Sequence, residues 1–218
     1  MWFKRIFLSS CFLIFSASSE KLQSKIILGE KSPFVYPYQL SLQVFSGASF
    51  PFLPKNYSHI CGGTILTENI FVTAAHCVAS QNVSLLSVLA GTTNLNDGTG
   101  TRYPVSSCKI HEQYSNTTHQ NDIALCKVQY PFVFDNTTTG NISYSNRVVG
   151  GGVNCSLTGW GSISPVRWMP ILFYNMLVYP MNLQRAYVES MTNEDCVQRY
   201  QNVSQIFDTH ICTNAGFL

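Results

Sequence analysis

The most constraining stretch of this chain is bounded by Cys61 and Cys77. Cys61 is followed by Gly62-Gly63, and fifteen positions further on His76 stands directly before Cys77 in Val72-Thr73-Ala74-Ala75-His76-Cys77. Between the two cysteines, Thr64 to Val72 is apolar and β-branched, broken by polar residues at Thr67 to Asn69. That pattern predicts two short strands joined by a turn. Cysteines bracketing such a hairpin can close a disulfide, and His76 would then sit on a tethered turn. A histidine needs that kind of fixing to serve as a general base. Taken alone, a single His is more often a structural residue, so the rest of the chain has to decide.

A second string, Asn121-Asp122-Ile123-Ala124-Leu125, places an acid 46 positions after His76. An Asp before an apolar run is ordinarily a turn or capping residue. Beside a catalytic imidazole it has another use. A carboxylate accepting the Nδ1–H leaves Nε2 facing a nucleophile as a base. A third string, Cys155-Ser156-Leu157-Thr158-Gly159-Trp160-Gly161, sits about 30 positions later.

Compartment signals precede these motifs. Residues 1–19 read as a signal peptide: Lys4 and Arg5 form a basic end, Ile6 to Phe15 an apolar run, and Ser16-Ala17-Ser18-Ser19 a small-residue exit. The apolar run is shorter than the about 20 residues of a bilayer span. Of eight cysteines, seven remain once Cys11 leaves with that segment. Asn56, Asn82, Asn116, Asn136, Asn141 and Asn202 each begin an Asn-x-Ser/Thr glycosylation motif. Asn154 begins one too, but the Cys155 beside it makes it the weakest. The formal net charge is only +2, with no Lys/Arg cluster, so no nucleic-acid partner is expected.

Together, Cys-Gly-Gly, Val-Thr-Ala-Ala-His-Cys, Asn-Asp-Ile-Ala-Leu and Cys-x-x-x-Gly-Trp-Gly resemble the trypsin/chymotrypsin family of serine endopeptidases. The resemblance implies an all-β, two-barrel chymotrypsin-like fold. It implies that His76 is the catalytic base and Asp122 its orienting acid. Lys25 looks like the activation cleavage residue and Ile26 like the new N-terminus, although Leu28 departs from the family's usual Gly. The implied layout is a signal peptide at 1–19, a short propeptide at 20–25 and a first barrel at 26–135. A connection at 136–147 and an incomplete second barrel at 148–218 follow. Expected partners are protein or peptide substrates and protease inhibitors, with no membrane; the oligomeric state is left open.

The cysteines sort unevenly. Cys196 and Cys212 resemble a family disulfide. Cys108 and Cys126 fall on two neighbouring predicted strands, 105–111 and 122–128, and are expected to face each other, although that pair is not a constant of the family. Cys155 is then left over, because its usual family partner lies near the nucleophile. The family string Gly-Asp-Ser-Gly-Gly-Pro does not occur in these 218 residues, nor does any Gly-x-Ser-x-Gly. The resemblance runs from Ile26 to about Thr213 and stops short of the nucleophile. The chain as written is therefore expected to have a truncated second barrel and to be inactive. The alternative is a non-catalytic secreted homologue acting as a binding or regulatory module.

Two further readings concern what is not expected. His59, His111, His119 and His210 have no motif support. The 94–101 loop holds only Asp97 as an acid, too few oxygen ligands for calcium. No metal and no cofactor are expected. The run from Trp168 to Gln184 carries no charge. Pro170, Asn175 and Pro180 argue against a membrane helix there. About a dozen residues of it, within 168–181, look inserted relative to the family.

Overall fold

The computed structural model describes residues 29–47, 56–145, 149–163, 179–200 and 205–214. The signal and propeptide readings, Lys25, Ile26, Asn202 and most of the apolar insert lie outside the described residues.

The chain is all-β in a two-barrel, chymotrypsin-like arrangement, with one closed barrel and a second sheet that is open among the described residues. The element order is β1 (Glu30–Lys31), β2 (Gln39–Gly47), β3 (Asn56–Ile65), β4 (Ile70–Thr73), β5 (Leu86–Ala90), β6 (Thr101–Ile110), β7 (Ala124–Val128), β8 (Asn154–Gly159), β9 (Gln184–Met191), α1 (Asn193–Tyr200) and β10 (Cys212–Asn214). Strands β2-β3-β4-β7-β6-β5 close into the barrel. Closure pairs every strand on both sides and leaves no edge to aggregate. In the second sheet β9 is central. β8 runs along one side of it, and β1 and β10 pair with it on the other.

Apolar residues that alternate along the strands fill the barrel. Leu40, Leu42, Ile65, Phe71, Val88 and Cys126 are fully buried. The predicted hairpin between the bracketing cysteines is β3 and β4, paired through Thr64↔Val72 and Ile65↔Phe71. Its turn is fixed by Thr67, whose hydroxyl accepts the N–H groups of Asn69 and Ile70.

Two expectations need adjusting. The alternating stretch 37–43 reads as a strand with one wet face, yet Gln39 to Gln43 are buried at every position. Leu40 and Leu42 point into the barrel, and the second sheet covers the polar face. Thr158 donates to Gln39 Oε1 at 2.7 Å, a bond between the two units. Residues 46–58, with Pro51 and Pro54, read as a loop, yet β3 already begins at Asn56.

Other bonds tie the units together. The Leu183 N–H donates to the Thr93 carbonyl at 2.6 Å and the Leu95 N–H to the Met181 carbonyl at 3.0 Å. Thr192-Asn193-Glu194-Asp195 reads as a helix start with Thr192 or Asn193 as its cap, and in α1 Thr192 takes that place. The Asp195 N–H donates to Thr192 Oγ1 at 3.1 Å, and acids occupy its first turn. No helix among the described residues is long and apolar enough to cross a membrane.

Gly63 shows how tightly the hairpin packs on β2. A Cβ there would stand 2.7 Å from Leu40 Cδ1 and 3.0 Å from the Val72 carbonyl oxygen. Leu40 is fully buried and cannot swing away. We therefore expect Gly63→Ala to cost about 1–3 kcal/mol, the usual cost of overpacking. Gly150→Ala, with nothing within 4 Å, should leave stability unchanged. Urea midpoints of the two variants against the parent chain check this.

Candidate active site

The β4–β7 pairing brings the candidate residues together. Its register sets Thr73 opposite Ala124. His76 follows Thr73 by three positions and Asp122 precedes Ala124 by two, so both emerge at the same end of the barrel. A single 3-10 turn, Ala75–Cys77, then orients the His. Ala75 and Cys77 are buried and His76 points outward. Cys77 is also tied to Cys61 by a disulfide, which fixes the turn to β3.

Asp122 is set by a backbone kink. Asn121 adopts φ of 54°, the left-handed region that Asn tolerates better than most residues. Its side-chain amide donates to the Gln113 carbonyl at 3.1 Å. The Asp122 carboxylate holds the histidine by two bonds. Oδ1 accepts the His76 backbone N–H at 2.8 Å, and Oδ2 accepts Nδ1–H at 2.6 Å. The first bond locks the turn and the second selects the ring tautomer. Asp122 is mostly covered, its side chain 23% exposed, whereas His76 is 43% exposed. The edge carrying Nε2 lies against the disulfide, 3.4 Å from Cys77 Sγ and 3.9 Å from Cys61 Sγ. Neither sulfur carries a proton to donate, so the Nε2 lone pair is left for a substrate or nucleophile.

The 111–123 loop closes over this end. Its base is pinned by the His111 N–H donating to the Ile123 carbonyl at 3.1 Å. The loop carries Tyr114, whose hydroxyl is pushed to a higher pKa by burial and by the charge of Asp122. It also carries His119, whose ring stands edge-on to His76 at 6.0 Å.

A second histidine sits between the units. On β3, His59 Nδ1 is 2.8 Å from Ser41 Oγ, which in turn accepts the Gln43 side-chain amide at 3.0 Å. The ring packs edge-on against Trp160 at 5.8 Å. Burial pushes its pKa down to about 4. A cleft of about 270 Å³ opens beside it, lined by Tyr57, Leu95, Asn96, Trp160 and Tyr179 among others. No sequence motif marked His59 or His119. Their one signal was residue type, and only the fold shows what surrounds them.

The remaining predicted residues are placed as follows. The disulfides are Cys61–Cys77, Cys108–Cys126 and Cys196–Cys212. Cys108 and Cys126 are direct register partners on β6 and β7. Among the described residues Cys155 is a free thiol. Asn56, Asn82, Asn116, Asn136, Asn141 and Asn154 are all exposed.

Comparison with known proteins finds relatives over most of the chain. The family model described as Trypsin matches residues 29–216. Trypsin delta of Drosophila melanogaster is 32% identical over 198 residues, which is 90% of this chain and 70% of that protein. Trypsin of Sarcophaga bullata is 32% identical over 196 residues, 89% of this chain and 69% of its own length. Among solved structures, a scabies mite inactivated protease paralogue matches with a TM-score of 0.70 at 25% identity, covering 86% of this chain and 74% of that one.

The burial of His59 carries a pH signature. Above about pH 6.5 the ring is neutral in both folded and unfolded chains, and its contribution is constant. As pH falls from 6.5 toward about 4, the unfolded chain takes up the proton first, so stability declines. We expect His59→Gln to remove that part of the decline. Urea unfolding of both proteins across this pH range reads it as a difference that grows above pH 4 and levels off near 6.5.

Proposed function

Because the chain belongs to the trypsin family, we propose that it is built as a secreted serine-type endopeptidase acting on protein or peptide substrates. The observation that carries this reading is the double grip of Asp122 on His76, through the backbone N–H at 2.8 Å and Nδ1 at 2.6 Å. In this reading Asp122 holds the ring with its proton on Nδ1. Nε2 takes the proton from a serine hydroxyl as it attacks the scissile carbonyl. The imidazolium that forms is stabilised by the adjacent carboxylate and returns the proton to the leaving amine. Asp122 itself stays ionised throughout.

The serine is the part these 218 residues do not supply in a recognisable motif. By themselves they are therefore inactive in acyl-enzyme chemistry. The same reading has the chain enter the secretory path through residues 1–19 and become activated by cleavage after Lys25, with Ile26 as the new N-terminus. The exposed asparagines of the Asn-x-Ser/Thr motifs carry glycans, and Cys155 waits for a partner cysteine.

A second reading is a non-catalytic homologue that binds rather than cuts. It is favoured by one finding: a matched solved structure is itself described as an inactivated protease paralogue. The transcript beyond the codon for Leu218 separates the two. A frame carrying Gly-Asp-Ser-Gly-Gly-Pro supports the peptidase, and an immediate stop with abundant secreted product supports the binding module.

Two measurements on the 218-residue protein test the chemistry. A fluorophosphonate probe should not label it; labelling would place a reactive serine within these residues. Proton NMR should show a strongly deshielded His76 ring N–H that disappears in Asp122→Asn, because the amide can no longer accept that proton as a carboxylate does. Persistence of the signal in the variant would remove Asp122 from its orienting role.

A further inference from the structure

We propose that His119 and the His76–Asp122 pair form a binding site for a borderline divalent cation of the zinc class. One donor atom from each of these three residues lies within 4.8 Å of the others. Zinc bonds of about 2.0–2.2 Å at tetrahedral angles set ligand atoms roughly 3.3–3.6 Å apart. The required contraction is about an ångström, and the residue that supplies it, His119, is on a surface loop.

The donor set selects the ion. Two imidazoles and one carboxylate suit Zn²⁺ and its first-row neighbours, whereas Ca²⁺ and Mg²⁺ demand oxygen ligands. The other cysteine-containing group at this end, Cys61, His76 and Cys77, is no rival. Its two sulfurs are bonded to each other and offer no thiolate.

His119 is poised for such a role. Its backbone adopts φ of 54° and is held by its N–H donating to the Ser115 carbonyl at 2.8 Å. Its Nδ1 is buried and has no hydrogen-bond partner among the described residues. A buried, unpartnered ring nitrogen is costly, and the ring stands edge-on to that of His76. The sequence reading expected no metal, because His119 belongs to no Cys/His spacing motif. The site arises only when the loop folds back over the barrel end.

Binding would also silence the base. If the ion takes Nε2 of His76, the lone pair is used. If it takes Nδ1, the ring proton moves to Nε2, which becomes a donor. This consequence rests on the proposed catalytic reading; the binding itself does not.

The test uses the full chain, freed of metal by chelation and titrated with Zn²⁺ alone against a chromogenic chelator. One ion per chain is expected. His119→Gln should weaken it by at least about tenfold, with near-UV circular dichroism unchanged. His111→Gln and His210→Gln should bind like the parent. Co²⁺ should give the visible absorption of a low-coordinate site in the parent and not in His119→Gln. Equal affinity in the parent and His119→Gln, or loss of binding in His111→Gln or His210→Gln, overturns the proposal. An anomalous-scattering map of a Zn²⁺-soaked crystal gives a readout that needs no variant: a peak between His119 and Asp122 supports the site, and a peak only elsewhere refutes it. Because these readouts follow the ion and not turnover, they leave the catalytic reading to its own experiments.

Discussion

The antiparallel pairing of β4 with β7 is the constraint on which the site depends. With Thr73 held opposite Ala124, His76 and Asp122 have only a few residues of backbone in which to diverge. A shift of one residue would turn every side chain of β7 to the other face. That slip is blocked by burial: Ala124, Cys126 and Val128 lie inside, while Ile123, Leu125 and Lys127 lie outside. The disulfide from Cys108 to Cys126 pins the same strand from its other neighbour, β6. Core packing and a covalent tie thus specify the register, and the register specifies the dyad.

The second constraint is the polar face of β2. Gln39, Ser41 and Gln43 are buried by the second sheet, and burial without partners would be costly. Each makes at least one bond, Gln39 with Thr158, Ser41 with His59 and Gln43 Nε2 with Ser41, while Gln43 Oε1 is buried with no partner among the described residues. His59 is kept neutral by the same enclosure. The seam between the units is therefore a polar layer under Trp160 rather than an extension of the apolar barrel core. It is sensitive to protons in a way that the core is not.

Much of the fold was legible because its signals are local. The strands around Cys61–Cys77 follow from β-branched runs with a Thr-Glu-Asn turn, and α1 begins at its capping Thr192. The pairing of Cys108 with Cys126 could be read from two strands expected to be neighbours. Less legible was the burial of β2 on both faces. Alternation reports that one face is apolar, but it cannot report that a distant segment, Thr158 to Trp160, will cover the other. His119 was illegible for a similar reason: its neighbours are 43 and 3 positions away, and no spacing rule links them.

The sequence by itself determined the family, the two residues proposed to handle the proton and the strands that flank them, since those depend on residue order over short stretches. It also determined that the familiar nucleophile string is not among these 218 residues. Tertiary structure alone decided that Asp122 also accepts the His76 backbone N–H, which histidine is buried beside Trp160, and which one leans over the dyad. Those outcomes come from long-range pairing and from loop closure across the barrel end, where contact is set by geometry in space and not by separation along the chain.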